Sequence, residues 1–327
     1  MHAAAISPRG GVAPEATRLR GQGIIEYVLI IAVIGLVVVF AGPQVSGAIR
    51  NQFNQVSTTL DSGTDGGIGD DASSGSTGAD FATVQAAIAK DAKDWTLDEM
   101  KAVAEDIAAK GEASPVYAKA KASMDAGTEF TMELTDGWRL TYRIIGINHD
   151  DLADGSGKAG LTFLTISTGI PLHMNATATN AGGWEKSELR QEMNSGEIWN
   201  LMPADFQSKV KAVKKLTNNV GGTDKNAAVT ATSDKLFLLS YSEIAPTSYW
   251  ASSNPWTSSE GTQYEAFKGK VMNNHTSNAA IALDDYWWER SVYPSSSVNF
   301  LIVDSSGKPL YGDSATEEYC VCPAWCF

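Results

Sequence analysis

The chain has 327 residues, 43% of them hydrophobic, and a formal net charge of −13. The length allows about two domains, and the acidic balance argues against nucleic acid as a partner, because phosphate binding needs clustered Lys and Arg. Three cysteines, Cys320, Cys322 and Cys326, crowd into the last eight residues, an odd and clustered set unlike a disulfide framework.

Met1 to Gly21 carries Arg9, Arg18 and Arg20 against a single Glu15. The run Ile24 to Ala41 follows, eighteen residues whose only charge is Glu26. A stretch of that length and apolarity predicts a membrane-spanning helix, and the basic residues ahead of it place its N-terminus in the cytoplasm. An unpaired carboxylate in hydrocarbon costs about 2.5–3.5 kcal/mol, so Glu26 needs a partner. From Gln44 to Leu60 the apolar residues Val45, Ile49, Phe53, Val56 and Leu60 recur at helical spacing and predict a stem helix. Residues 61–80 hold six glycines and five aspartates and read as a solvated linker.

The stretch "RLRGQGIIEYVLIIAVIGL" resembles the N-terminus of Flp-type (Tad, type IVb) pilins. The resemblance implies cleavage by a prepilin peptidase between Gly21 and Gln22, with Glu26 and Tyr27 at positions five and six of the mature chain. Cleavage exposes an α-amino group at Gln22. Glu26 of a neighbouring pilin subunit can pair with it and so lose its isolation in an apolar bundle. The alternative is an ordinary single-span anchor with Glu26 at the interface. The expected organisation is a leader at 1–21, a transmembrane and stem helix at 22–60, a linker at 61–80, a helical segment at 81–126 and a head at 127–327.

Within the head, a helix is predicted from Phe81. "TLDE", Thr96 to Glu99, is a capping-box pattern ahead of Leu97, Met100, Val103, Ala104 and Ile107. A second helix is predicted over Val116 to Met124. Alternation at Phe130, Met132, Leu134 and at Trp138, Leu140, Tyr142, Ile144, with a turn at Asp136–Gly137, predicts a β-hairpin. Strands are expected at Leu161 to Ile166 and Lys235 to Leu239. "MPADFQSKVKAVKK" reads as a helix with Pro203 near its start and Lys214 and Lys215 solvated at its end. Val298 to Val303 and Pro309 to Tyr311 suggest a second hairpin around "DSSGK", and Tyr319 to Phe327 a terminal strand. On such a strand Cys322 and Cys326 lie about 13 Å apart, too far to bridge, so the thiols read as small buried apolar groups. The fold class is α+β with mainly antiparallel pairing.

The segments "ELTDGWRLTYRIIGINHDD", "TSDKLFLLSYSEI", "WWERSVYPSSSVNFLIVDSSG" and "CVCPAWCF" together resemble an uncharacterised domain of bacterial surface proteins. That domain is similar in turn to the C-type-lectin-like fold shared with formylglycine-generating enzymes. The resemblance covers most of residues 127–327 and implies a lectin-like head.

Loops rich in Tyr, Trp, Ser and Asn suit a glycan or protein ligand, since they combine rigid aromatic area with adaptable hydrogen bonds. "SYWASSNPWTSSEG" and "YWWERSVYPSSSVNF" supply Trp250, Trp256, Trp287, Trp288, Ser291, Tyr293 and Asn299 as candidate ligand contacts. Adjacent Trp287 and Trp288 on a strand should point one inward and one outward. Trp138, Trp184, Trp199 and Trp325 read as core, and Arg290 as an anchor for a buried carboxylate or carbonyls. No catalytic residue, metal ligand or cofactor is expected: the histidines show no metal spacing, "NHDDLADGSG" lacks EF-hand spacing, and no nucleophile stands beside an orienting base. The expectation is a minor Flp-type pilin or pseudopilin with an extracellular adhesive head. A membrane-tethered receptor outside any filament and a tethered enzyme are the rivals.

Overall fold

The computed structural model describes residues 79–167, 169–218, 229–246, 259–293, 296–309 and 311–327. All of these belong to one compact unit, Ser76–Phe327. It opens with helices α1 (Phe81–Ala89), α2 (Leu97–Lys110) and α3 (Tyr117–Ala126). Helix α2 starts where "TLDE" predicts. The Thr96 side chain accepts from the Glu99 N–H, and the Glu99 carboxylate accepts from the Thr96 N–H, which satisfies two otherwise orphaned donors. Its Met100, Val103, Ala104 and Ile107 are buried on one face, as the spacing predicts.

The predicted hairpin is present as β1 (Glu129–Glu133) and β2 (Arg139–Ile147), paired antiparallel with Met132 opposite Leu140. Asp136 accepts from the Trp138 N–H, and Gly137 takes a φ of 86°, a conformation that favours glycine. Strand β3 (Leu161–Thr165) continues this sheet. Next come β4 (Pro171–Leu172) and four short helices, α4 (Gly183–Lys186), α5 (Glu188–Asn194), α6 (Glu197–Leu201) and α7 (Ala204–Gln207). Strands β5 (Val213–Asn218) and β6 (Val229–Asp234) form a two-stranded ribbon, followed by helix α8 (Tyr241–Ile244). The chain ends through β7 (Trp287–Val292), β8 (Asn299–Val303), β9 (Tyr311–Ser314), β10 (Tyr319–Cys320) and β11 (Ala324–Cys326).

The strands assemble as a four-stranded sheet β1-β2-β3-β11 and a five-stranded sheet β4-β10-β7-β8-β9, beside the β5-β6 ribbon. Pairing is antiparallel except for β10 against β7. The α+β class and mainly antiparallel pairing therefore hold. The helical segment shares one continuous core with the sheets. Gly160 marks the closest approach: a β-carbon there would stand 1.8 Å from the Ala104 carbonyl oxygen of α2. Deeper in, Tyr142, Phe163, Phe206 and Trp325 form one aromatic cluster: Phe163 stacks on Trp325, and Tyr142 and Phe206 meet Trp325 edge-on, the Tyr142 and Trp325 centroids 4.9 Å apart. Each such buried ring contributes roughly 1.5–3 kcal/mol of transfer free energy.

The expected fold needs correction. No helix among the described residues is long and apolar enough to cross a membrane, and α2, the longest, has 14 residues. The predicted span 24–41, the stem 44–60 and most of the linker lie outside the described residues. Three local expectations also change. The helix over "MPADFQSKVKAVKK" stops at Gln207, and Val213 begins a strand, because Val213, Lys215 and Thr217 alternate inward with period two. Lys235 to Leu239 is not a named strand. Only Phe237 bridges to Ala324, while Asn194 and Arg290 side chains bind the backbone on either side. The terminal strand is interrupted between Cys320 and Ala324, so its two halves join different sheets.

Candidate functional site

The strand expected to present ligand contacts, β7, is buried at every position. Trp287 is 2% exposed and Trp288 0%, so the expected outward-facing indole is absent. The reason is that both faces of the five-stranded sheet are covered. The Trp287 Nε1–H donates to Ile281 O at 3.1 Å, and the Trp288 Nε1–H donates to Leu172 O at 2.8 Å. Ser291 is also fully buried. Tyr293 and Asn299 are half-buried at the β7–β8 turn, where the Tyr293 N–H donates to Asn299 O and the Tyr293 ring leans on Gly312. Trp250, Trp256 and the processing residues Gly21, Gln22, Glu26 and Tyr27 lie outside the described residues. Of the tryptophans expected in the core, Trp184 and Trp325 are fully buried and Trp199 partly so. Trp138 is 57% exposed at its hairpin turn.

What β7 does carry is a buried electrostatic network. Arg290 grips Glu243 with two nitrogens, at 2.5 and 3.0 Å, and also donates to the carbonyls of Leu216, Leu238 and Glu260. Lys215 bridges Glu243 and Asp150 at 2.6 Å each and lies 4.2 Å from the centre of the Phe237 ring. Asp150 also accepts from the hydroxyls of Tyr264 and Thr162. Burial pushes the Glu243 carboxyl up, but the charges of Arg290 and Lys215 outweigh it and hold the group below its usual pKa. Asp150 behaves alike: burial opposes ionisation, and Lys215 with His149 overcomes it. The network is a closed chain of two cations and two carboxylates joining β2's exit loop, β5, α8 and β7.

Two further acids stand next to it without a cation of their own. Glu260 accepts from the Asn218 N–H at 2.7 Å and from the Ser291 hydroxyl at 2.6 Å. Burial raises its pKa to about 7, against the pull of Arg290. Glu289 is fully buried, neither of its oxygens has a hydrogen-bond partner, and burial with the neighbouring Glu260 drives its pKa well up. Burial thus favours the neutral form of Glu289. Ser291 donates to the Glu260 carboxylate and accepts from the Tyr241 N–H, and among the described residues no imidazole or amine is placed to activate it as a nucleophile.

The expectation that Arg290 anchors a carboxylate and carbonyls is met on both counts. Lys215 and Asp150 are central residues that the sequence reading misplaced or passed over. The inward alternation of "VKKLTN" is the signal that finds Lys215. In the loop "HDDLADGS", Asp154 caps a turn by accepting from the Ser156 N–H and hydroxyl. The three cysteines are free and buried, and burial raises the pKa of each thiol. No group of three or more His, Cys, Asp or Glu among the described residues is placed to hold a metal ion.

No curated protein and no solved structure matches the chain. The head's fold thus stands as α+β, and the lectin-like assignment is withdrawn. The match that is found runs from the start of β3 through β11 and contains five of the six buried ionisable residues just described, Lys215, Glu243, Glu260, Glu289 and Arg290. Residues 160–327 match the family described as Domain of unknown function (DUF6273), and the chain belongs to that family.

Proposed function

We propose that this chain is a minor Flp-type pilin or pseudopilin, cut by a prepilin peptidase, whose C-terminal unit is an extracellular ligand-binding head. The observation that carries the reading is in the sequence: a basic leader, Gly21 followed by Gln22, and Glu26–Tyr27 at the fifth and sixth positions thereafter. The N-terminus stays on the cytoplasmic side, and the N-terminal segment holds the head to the cell envelope beside other pilin subunits. The buried ion-pair chain at the centre of the C-terminal unit supports a display role. Arg290, Glu243, Lys215 and Asp150 neutralise one another away from solvent and stiffen the platform. Glycan and protein ligands both fit this reading.

Mass spectrometry of the chain from a host with an active prepilin peptidase tests it. A mature N-terminus at Gln22 is expected, and full-length chain in a peptidase-deficient strain. A retained Met1, or a start near Gln44, overturns the assignment. Recovery of the chain in sheared filaments is expected for a pilin. Its confinement to the cell body favours a receptor tethered outside any filament.

A further inference from the structure

Among the described residues three arginines are at least half-buried, and two of them meet a carboxylate. Arg290 holds Glu243, and Arg190 donates from Nε to Asp234 at 2.6 Å. Arg143 on β2 does not: no carboxylate oxygen among the described residues lies within ion-pairing distance of it. Its Nη2 donates to Ala280 O, its Nε is buried with no acceptor, and the guanidinium sits 5.9 Å from the centre of the Phe267 ring. Burial lowers its pKa, opposed only by Glu129, its cross-strand neighbour in the β1–β2 pair.

This under-compensated cation lines a cavity of about 190 Å³. Glu129, Leu164, Ile166, Ile281, Leu283 and Trp287 line it with Arg143. A buried guanidinium donor without an acceptor is costly unless something supplies one. The cavity has the room for a small organic acid but offers a single positive charge, with Glu129 beside it and a net charge of −13 on the chain. A doubly charged phosphate meets repulsion there. A single negative charge with a short hydrocarbon tail matches the cation and the part-exposed side chains of Ile166 and Leu283 in an otherwise mainly polar lining.

We propose that the Arg143 cavity is a binding site for small monocarboxylates, with the carboxylate on the free guanidinium donors and the tail against Ile166 and Leu283. The proposal deepens the binding-head reading and rests on it for its biological meaning. The pocket chemistry stands on Arg143 alone.

Calorimetric titration of the full chain with butyrate, inorganic phosphate and the uncharged butyramide tests it. Saturable butyrate binding is expected, with phosphate and butyramide at least tenfold weaker. Arg143→Met should weaken butyrate at least tenfold while the thermal transition stays cooperative, and Arg139→Met, on the same face of the strand but outside the cavity lining, should leave it unchanged. Should Arg143→Met fail to fold, Glu129→Gln gives an independent check, with butyrate expected to bind several-fold more tightly. Phosphate binding as tightly as butyrate overturns the ligand class. Butyrate affinity indifferent to Arg143→Met or Glu129→Gln, or no butyrate binding at tens of millimolar, overturns the site. The two readings fail separately: a Gln22 start without butyrate binding sinks only the cavity, and butyrate binding on a chain that keeps Met1 sinks only the pilin assignment.

Discussion

Arg290 and Arg143 both project from strands into the interior, and they differ in what awaits them. Around Arg290 the protein provides a bidentate carboxylate and three backbone carbonyls. Around Arg143 it provides one carbonyl, an aromatic face and empty space. The difference teaches that this head treats one buried cation as masonry and leaves the other unfinished. Arg290 is fully buried and fully paired, whereas Arg143 is only part-buried and keeps a donor without an acceptor.

The largest break in that contrast should come from Arg290→Met. It strands Glu243 against Lys215 alone and frees three buried carbonyls. A loss of about 3–5 kcal/mol is expected in urea unfolding. A loss under about 1 kcal/mol would show that the network contributes nothing as a unit. A smaller effect should follow pH. Glu260 holds its proton up to about 7 in the fold, against an ordinary value of 4.5, so between those values the folded state binds more protons than the unfolded one. Stability therefore falls as pH rises through that window. The depressed carboxyls of Asp150 and Glu243 act in the opposite sense, adding stability that is complete above about pH 4.5 and is lost on further acidification. The maximum should sit near pH 5. Glu260→Gln should flatten the decline between pH 5 and 7.5, and an unchanged urea midpoint difference would refute the assignment. The smallest effect is expected at Arg143→Met, about 1 kcal/mol or less without ligand, because the substitution removes one hydrogen bond and an unsatisfied donor together. A cost comparable to that of Arg290→Met would make Arg143 part of the framework.

The local elements were legible where one short-range rule governed them. Thr96 and Glu99 announce a helix start because the capping box needs only four residues. The β1–β2 hairpin is readable because Asp136–Gly137 sets its register. Failures came where distant residues decide. Whether Trp288 faces solvent depends on Leu172, 116 positions earlier, which covers it. Lys215 looks like a surface residue until Asp150 and Glu243 are brought to it by other elements. Leu236 to Leu239 has strand composition, yet half of its backbone hydrogen bonds go to the side chains of Asn194 and Arg290. The orphaned Nε of Arg143 could not be read at all, since it is defined by what the fold fails to place nearby.

The seat of β11 against β3 sets the tempo of assembly. Thr162 and Cys326 touch across 164 positions of chain, and Trp325 completes the aromatic stack only from that strand. A polypeptide emerging from its N-terminal side leaves the rim of β3 unzipped until almost everything else has arrived. Such distant closure slows folding, and an open rim invites strands from other molecules.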